Sequence, residues 1–143
     1  MSAKDTFHAL VRAALIAEGW VITHDPYRLT IGKRKAFIDL GAEMPLAAER
    51  DGQKIAVEIK SFLGTSALDD LENALGQYGV YRAILKLRDP ERRLYLAIPD
   101  SVRELLMDEK DFRHILREFE TSIIFYSLKE QEPLEWIEPV NFK

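Results

Sequence analysis

The chain has 143 residues, enough for one core but not for two domains of ordinary size, so a single domain over 1–143 is expected. Its 47% hydrophobic and 31% charged residues exclude a disordered chain. The net charge of -4 excludes a whole-surface polyanion binder, so any contact with nucleic acid must be local. Without cysteine, disulfides, thiolate zinc sites and a cysteine nucleophile are all ruled out. The first 20 residues carry Lys4, Asp5, Arg12 and Glu18 inside any apolar stretch, and no run approaches a membrane span. These features predict a cytoplasmic protein with no membrane contact.

Phe7, Leu10, Val11, Ala14 and Leu15 recur at helical spacing, predicting an amphipathic helix over 5–18 that ends before Gly19. Residues 20–23 read as a short strand, turned by His24-Asp25-Pro26, and 27–31 as another extended piece. Residues 36–40 form a further strand, continued to about 50 past a bend at Met44-Pro45. Asp51-Gly52 then supplies a hairpin turn into a returning strand over 54–60. Leu68, Leu71, Leu75 and Tyr78 mark one stripe of a long helix over 66–86, opened by Ser66-x-x-Asp69 in the manner of a capping box. After a turn at Arg88-Asp89-Pro90, residues 93–98 return as a strand. Strand, helix and strand make a βαβ unit with parallel pairing. Helical residues follow over 101–119, broken near Asp108, and then two strands, 122–128 and 134–137, joined as a hairpin.

The chemistry concentrates on the 54–60 strand. Alternation sends Ile55, Val57 and Ile59 one way, to pack under the long helix, and Glu58 and Lys60 the other. Asp39, on the other arm of the proposed hairpin, can bring a second carboxylate to the same place. Two carboxylates and a backbone carbonyl, that of Ile59, are an oxygen-ligand set suited to Mg²⁺ or Mn²⁺, which can lend a water as nucleophile. Lys60 would orient that water or neutralise charge developing on a phosphate. The bland alternative is a cross-strand ion pair on a solvated face, worth about 0–1 kcal/mol. Either way, Glu58 sits on a polar face, and its removal should barely lower stability and can raise it, because two clustered carboxylates repel each other when no metal is bound.

Asp39, then 18 intervening residues, then Glu58-Ile59-Lys60, in the order helix, hairpin, helix, strand, resembles the PD-(D/E)XK nuclease superfamily, although residue 38 is Ile where the motif name has Pro. Gln77-x-x-x-Tyr81 is similar to a helix motif in some of its branches. More closely, Gly19 to Pro26, Ile38 to Glu43, Ala56 to Phe62 and Ala74 to Tyr78 resemble, in order, segments of the XisH family of excision controlling factors, associated with removal of the fdxN element in cyanobacteria.

That resemblance implies a restriction-endonuclease-like α/β fold: a mixed central sheet flanked by helices, an αβββαβ core with a C-terminal helix and β-hairpin. It implies Asp39 and Glu58 as metal-binding acids, Lys60 as the catalytic lysine and Gln77 as the polar helix residue bordering the site. His8 is a candidate supporting group, since the first helix borders the site in resembling nucleases; its bland reading is an interfacial histidine. Lys33, Arg34, Lys35 and Tyr81 are candidate DNA contacts, against the bland readings of solvated charges and a packed tyrosine. Arg88, Arg92 and Arg93 form a second basic cluster.

Two functions remain open: a magnesium-dependent DNA endonuclease acting in programmed excision, or a noncatalytic DNA-binding or regulatory subunit assisting a separate recombinase. DNA, a companion excision-control protein, a recombinase and a second copy of the chain are the partners this leaves. A third reading, a protein-interaction module, expects exposed apolar surface around Trp136 and Ile137.

Overall fold

The computed structural model describes residues 3–33, 46–129 and 132–139. Helix α1 (Ala3–Ala17) leads into β1 (Val21–His24); β2 (Leu46–Arg50) and β3 (Gln53–Ile59) follow, then α2 (Ala67–Arg88) and β4 (Arg92–Pro99). A short 3-10 turn (Asp100–Val102), α3 (Arg103–Asp108) and α4 (Lys110–Glu118) precede β5 (Ile123–Tyr126) and β6 (Glu135–Ile137). Among the described residues one six-stranded sheet runs in sequence order from β1 to β6. It is antiparallel at both edges, whereas β3, β4 and β5 are parallel to one another.

Asp51 and Gly52 both take positive φ, 49° and 79°, the backbone that a two-residue hairpin of this twist requires, and this places the β2–β3 turn where the sequence sets it. Ser66 caps α2 by accepting from the Asp69 amide at 3.3 Å. The expected βαβ unit is present, with Glu58 opposite Leu96 in the parallel ladder. Mixed α/β architecture with helices on both sheet faces is thus established, and it is consistent with the restriction-endonuclease-like class.

The layers differ from expectation in one consequential respect. Ile55, Val57 and Ile59 do not pack under the long helix; they join Phe7, Val11 and Leu15 of α1 in one buried cluster. Helix α2 covers the opposite face, where Ala56 of β3 and Leu94, Leu96 and Ile98 of β4 meet Leu71, Ala74, Tyr78 and Tyr81. Both crossovers, α2 and the α3–α4 pair through Leu106 and Leu116, lie on that face. Two same-side crossovers are what right-handed connections between successive parallel strands give. Glu58 therefore points toward α2, into the layer where the apolar row was expected.

Smaller departures have local causes. Residues 27–30 belong to no strand. The C-terminal helical stretch breaks at Glu109, whose extended backbone (φ -83°, ψ 121°) ends α3 and starts α4. Trp136 and Ile137 do not form the exposed apolar surface expected of them: Ile137 is buried, and Trp136 stacks on Trp20 with ring centroids 5.6 Å apart and meets Tyr95 edge-on at 4.9 Å. Glu18 ties that hairpin to the end of α1, accepting from the Leu134 amide at 3.0 Å and Trp136 Nε1 at 3.1 Å. No helix is long and apolar enough to cross a membrane, among the described residues.

Candidate functional site

The carboxyl end of β3 is where the pairing changes character: antiparallel to β2 on one side, parallel to β4 on the other. In open α/β sheets ligands gather beyond the carboxyl ends of the parallel strands. Glu58 stands there with 0% exposure, surrounded by the apolar cluster beneath α2. Burying a carboxylate costs several kcal/mol even after relaxation, so its neighbours decide what it is for. Lys60, two residues on and on the same face, brings Nζ to 3.3 Å from Glu58 Oε1. The same ammonium donates to Gln77 Oε1 from α2. Glu58, Lys60 and Gln77 thus converge, as the sequence reading requires of these three.

Asp39, Arg34 and Lys35 lie outside the described residues; Lys33 is exposed. Among the described residues no group of three His, Asp or Glu side chains could hold a metal ion. What the described site offers is one hard oxygen donor, Glu58, at the strand end that also carries the Ile59 carbonyl. A carboxylate and a backbone carbonyl are donors of the kind that suit Mg²⁺ or Mn²⁺.

Other candidates are placed differently from the sequence reading. Tyr81 is 2% exposed, so it is not presented to a DNA backbone; its phenol faces the Glu58 neighbourhood instead. Burial, with the negative charge of Glu58 adding to it, pushes Tyr81 up to about 12. His8 does not reach the α2 face. Its Nε2 lies 2.9 Å from the Asp25 carboxylate, which Arg12 Nη1 also approaches at 2.5 Å, all on the α1 side of the sheet. Arg92, part of the second basic cluster, is structural: it is buried, bonds Asp89 and the Ile55 carbonyl at 2.9 and 3.0 Å, and stacks over Tyr27. Arg93 is engaged with Glu138.

A residue the sequence reading passed over enters here. Tyr126, at the end of β5, donates its hydroxyl to the Lys60 carbonyl at 2.8 Å. A strand over 122–128 is legible in the sequence, but its end at Tyr126 and which of its residues meets Lys60 depend on β5 lying parallel to β4, and periodicity carries no such information.

The Tyr81 shift gives a pH test of this environment. Folding holds the phenol in its neutral form, so its stabilisation is complete below about pH 10 and is lost as pH rises toward about 12, because the unfolded chain ionises first. Tyr95, also pushed up to about 12 by burial and its bond to Glu138, adds to the same window. Denaturant melts across this range should show stability falling, with a shallower fall in Tyr81→Phe. Tyrosinate absorbance should show Glu58→Gln bringing Tyr81 downward, since the negative charge of Glu58 that helps raise it is gone. An unchanged titration in Glu58→Gln would mean that the two groups do not sense each other.

Comparisons with known proteins identify the family of the chain. The model of the XisH protein family matches residues 1–134. A solved XisH family protein from Nostoc punctiforme PCC 73102 is 38% identical, with TM-score 0.81, 94% of this chain and 100% of that one being covered. An fdxN element excision controlling factor protein from Anabaena variabilis is 39% identical, also at TM-score 0.81, over 94% of this chain and 99% of that one. No curated protein matches the chain. By the extent of the family match, and by two relatives superposable over almost their whole length, this chain belongs to the XisH family.

Proposed function

We propose that this protein acts in programmed DNA excision through a metal-dependent phosphodiester-cleaving site of the PD-(D/E)XK type. The observation that carries the reading is the wholly buried Glu58 carboxylate, held 3.3 Å from the Lys60 ammonium at the carboxyl end of a central strand. A fully desolvated acid beside a lysine is a poor choice for stability alone and a good one for a ligand and a positioned cation.

In this reading Glu58, Asp39 and the Ile59 carbonyl hold Mg²⁺ or Mn²⁺. The ion, when bound, supplies Lewis-acid polarisation of the phosphate and an ionisable water. Lys60 orients the attacking water or meets the charge that grows on the phosphoryl oxygens, and Gln77 holds the ammonium in place for that task. Tyr81 stays protonated at neutral pH and acts as a neutral wall, not as a base. Lys33, with Arg34 and Lys35, would meet the DNA backbone in the cytoplasm, where the substrate is.

A second reading has its own support: the Anabaena relative bears the name of a controlling factor, and a net charge of -4 suits a subunit that relies on a companion protein or recombinase for much of its grip on DNA. Both readings are separated by incubating the purified chain with supercoiled, linear and branched DNA, with and without Mg²⁺ or Mn²⁺. Divalent-dependent cleavage that Lys60→Met removes is the expected result. Binding of DNA without cleavage under every condition would transfer the role to the regulatory reading.

A further inference from the structure

We propose that Tyr126 is a positioning residue for Lys60, its hydroxyl fixing the backbone at the end of β3 so that the Lys60 ammonium faces Glu58 and Gln77. This rests on the functional reading above and adds to it a residue from the far side of the sheet.

Lys60 lies one position beyond the last residue of β3. Its amide still donates to the Ala97 carbonyl of β4 at 2.9 Å, so one flanking peptide is held by the sheet. The next peptide is held differently. Its carbonyl accepts from the Tyr126 hydroxyl at 2.8 Å, across 66 residues of sequence. Past this point the chain turns away, with Phe62 in the left-handed region at φ 53°, a conformation an aromatic residue adopts only where its surroundings impose it. The Tyr126 bond is therefore placed where the strand would otherwise fray.

Tyr126 is itself rigidly seated. It is 1% exposed, pairs with Pro99 as the last residue of β5, and sets its ring 6.0 Å from that of Phe7 on α1. Backbone orientation limits which side-chain rotamers are open, so fixing both peptides around Lys60 fixes where its ammonium can go. Displacing a reacting group by about 1 Å can cost on the order of a hundredfold in rate. The competing role is merely structural, a hydroxyl that satisfies a carbonyl and does nothing for the side chain.

Tyr126→Phe keeps the ring and removes the hydroxyl alone. Tyr95→Phe is its control: Tyr95 is also buried and also gives its hydroxyl to a partner, Glu138 at 2.6 Å, away from Lys60. Two readouts are needed. The first is steady-state cleavage of DNA with Mg²⁺, where Tyr126→Phe should lower kcat by on the order of ten- to a hundredfold with KM held within about twofold. The second is the ε-methylene signal of Lys60 in isotope-labelled protein, identified by its loss in Lys60→Arg; Tyr126→Phe should move it and Tyr95→Phe should not. If the parent protein cleaves no DNA, the endonuclease reading fails by itself, and the Lys60 signal alone judges this inference. An unmoved Lys60 signal in Tyr126→Phe overturns it whatever the rate does, as does a signal moved equally by both variants.

Discussion

Replacing Glu58 by glutamine should abolish Mg²⁺ or Mn²⁺ binding in titration calorimetry, and any cleavage with it, while raising the melting temperature. The amide has nearly the volume of the carboxylate and keeps an oxygen facing Lys60, so no cavity opens. What it removes is a full charge from a position with 0% exposure. Taking a carboxylate out of water costs several kcal/mol after relaxation, and the Lys60 ammonium 3.3 Å away offsets part of that. The remaining Lys60 is less penalised, because its side chain keeps 17% of its exposure and a bond to Gln77. A gain of about 1–3 kcal/mol is the expected size, the usual reward for relieving strain stored at a functional site. A variant that melts lower than the parent and still takes up metal would mean that Glu58 is a structural ion-pair partner and nothing more.

Lys60→Met should act in the opposite direction on stability and lose about 3–5 kcal/mol. Methionine retains the apolar stem, so packing changes little. The loss comes from leaving the Glu58 charge in place, fully buried, without the ammonium that stands beside it. The two substitutions combined should then be far less damaging than Lys60→Met alone, giving a coupling term well above the few tenths of a kcal/mol seen for independent sites. Denaturant unfolding of the two single variants and the double variant closes the cycle. Metal uptake should survive in Lys60→Met, since the ammonium acts on water or phosphate and not on the ion. Equal and additive losses from both variants would show that the charges do not depend on one another.

The size of these effects could not have been reached from the strand pattern. Alternation correctly groups Glu58 with Lys60 and separates both from Ile55, Val57 and Ile59, because period two is a property of any strand. It also suggests that a face bearing a carboxylate and an ammonium is solvated. In a strand buried on both sides this inference fails: α1 takes the apolar row, α2 takes the other, and Glu58 is shut in with Ala56 and Leu96. Tyr81 is a similar case. Its spacing of four from Gln77 puts the two on one side of the helix, but that side faces the sheet.

By itself the sequence determined the element order, the Asp51-Gly52 turn, the Ser66 cap, the βαβ unit and the grouping of Glu58 with Lys60, while Gln77 joined them only through the family resemblance. All of these depend on local conformational preference or on contacts between residues close in the chain, where spacing alone carries the geometry. The tertiary structure decided which helix covers which face, that β5 runs parallel to β4, that Glu58 is wholly desolvated, that His8 serves Asp25, and that Tyr126 reaches Lys60 from 66 residues away. Such facts rest on contacts between distant segments, and burial is a property of the packed assembly of layers; no residue carries it in its own side chain.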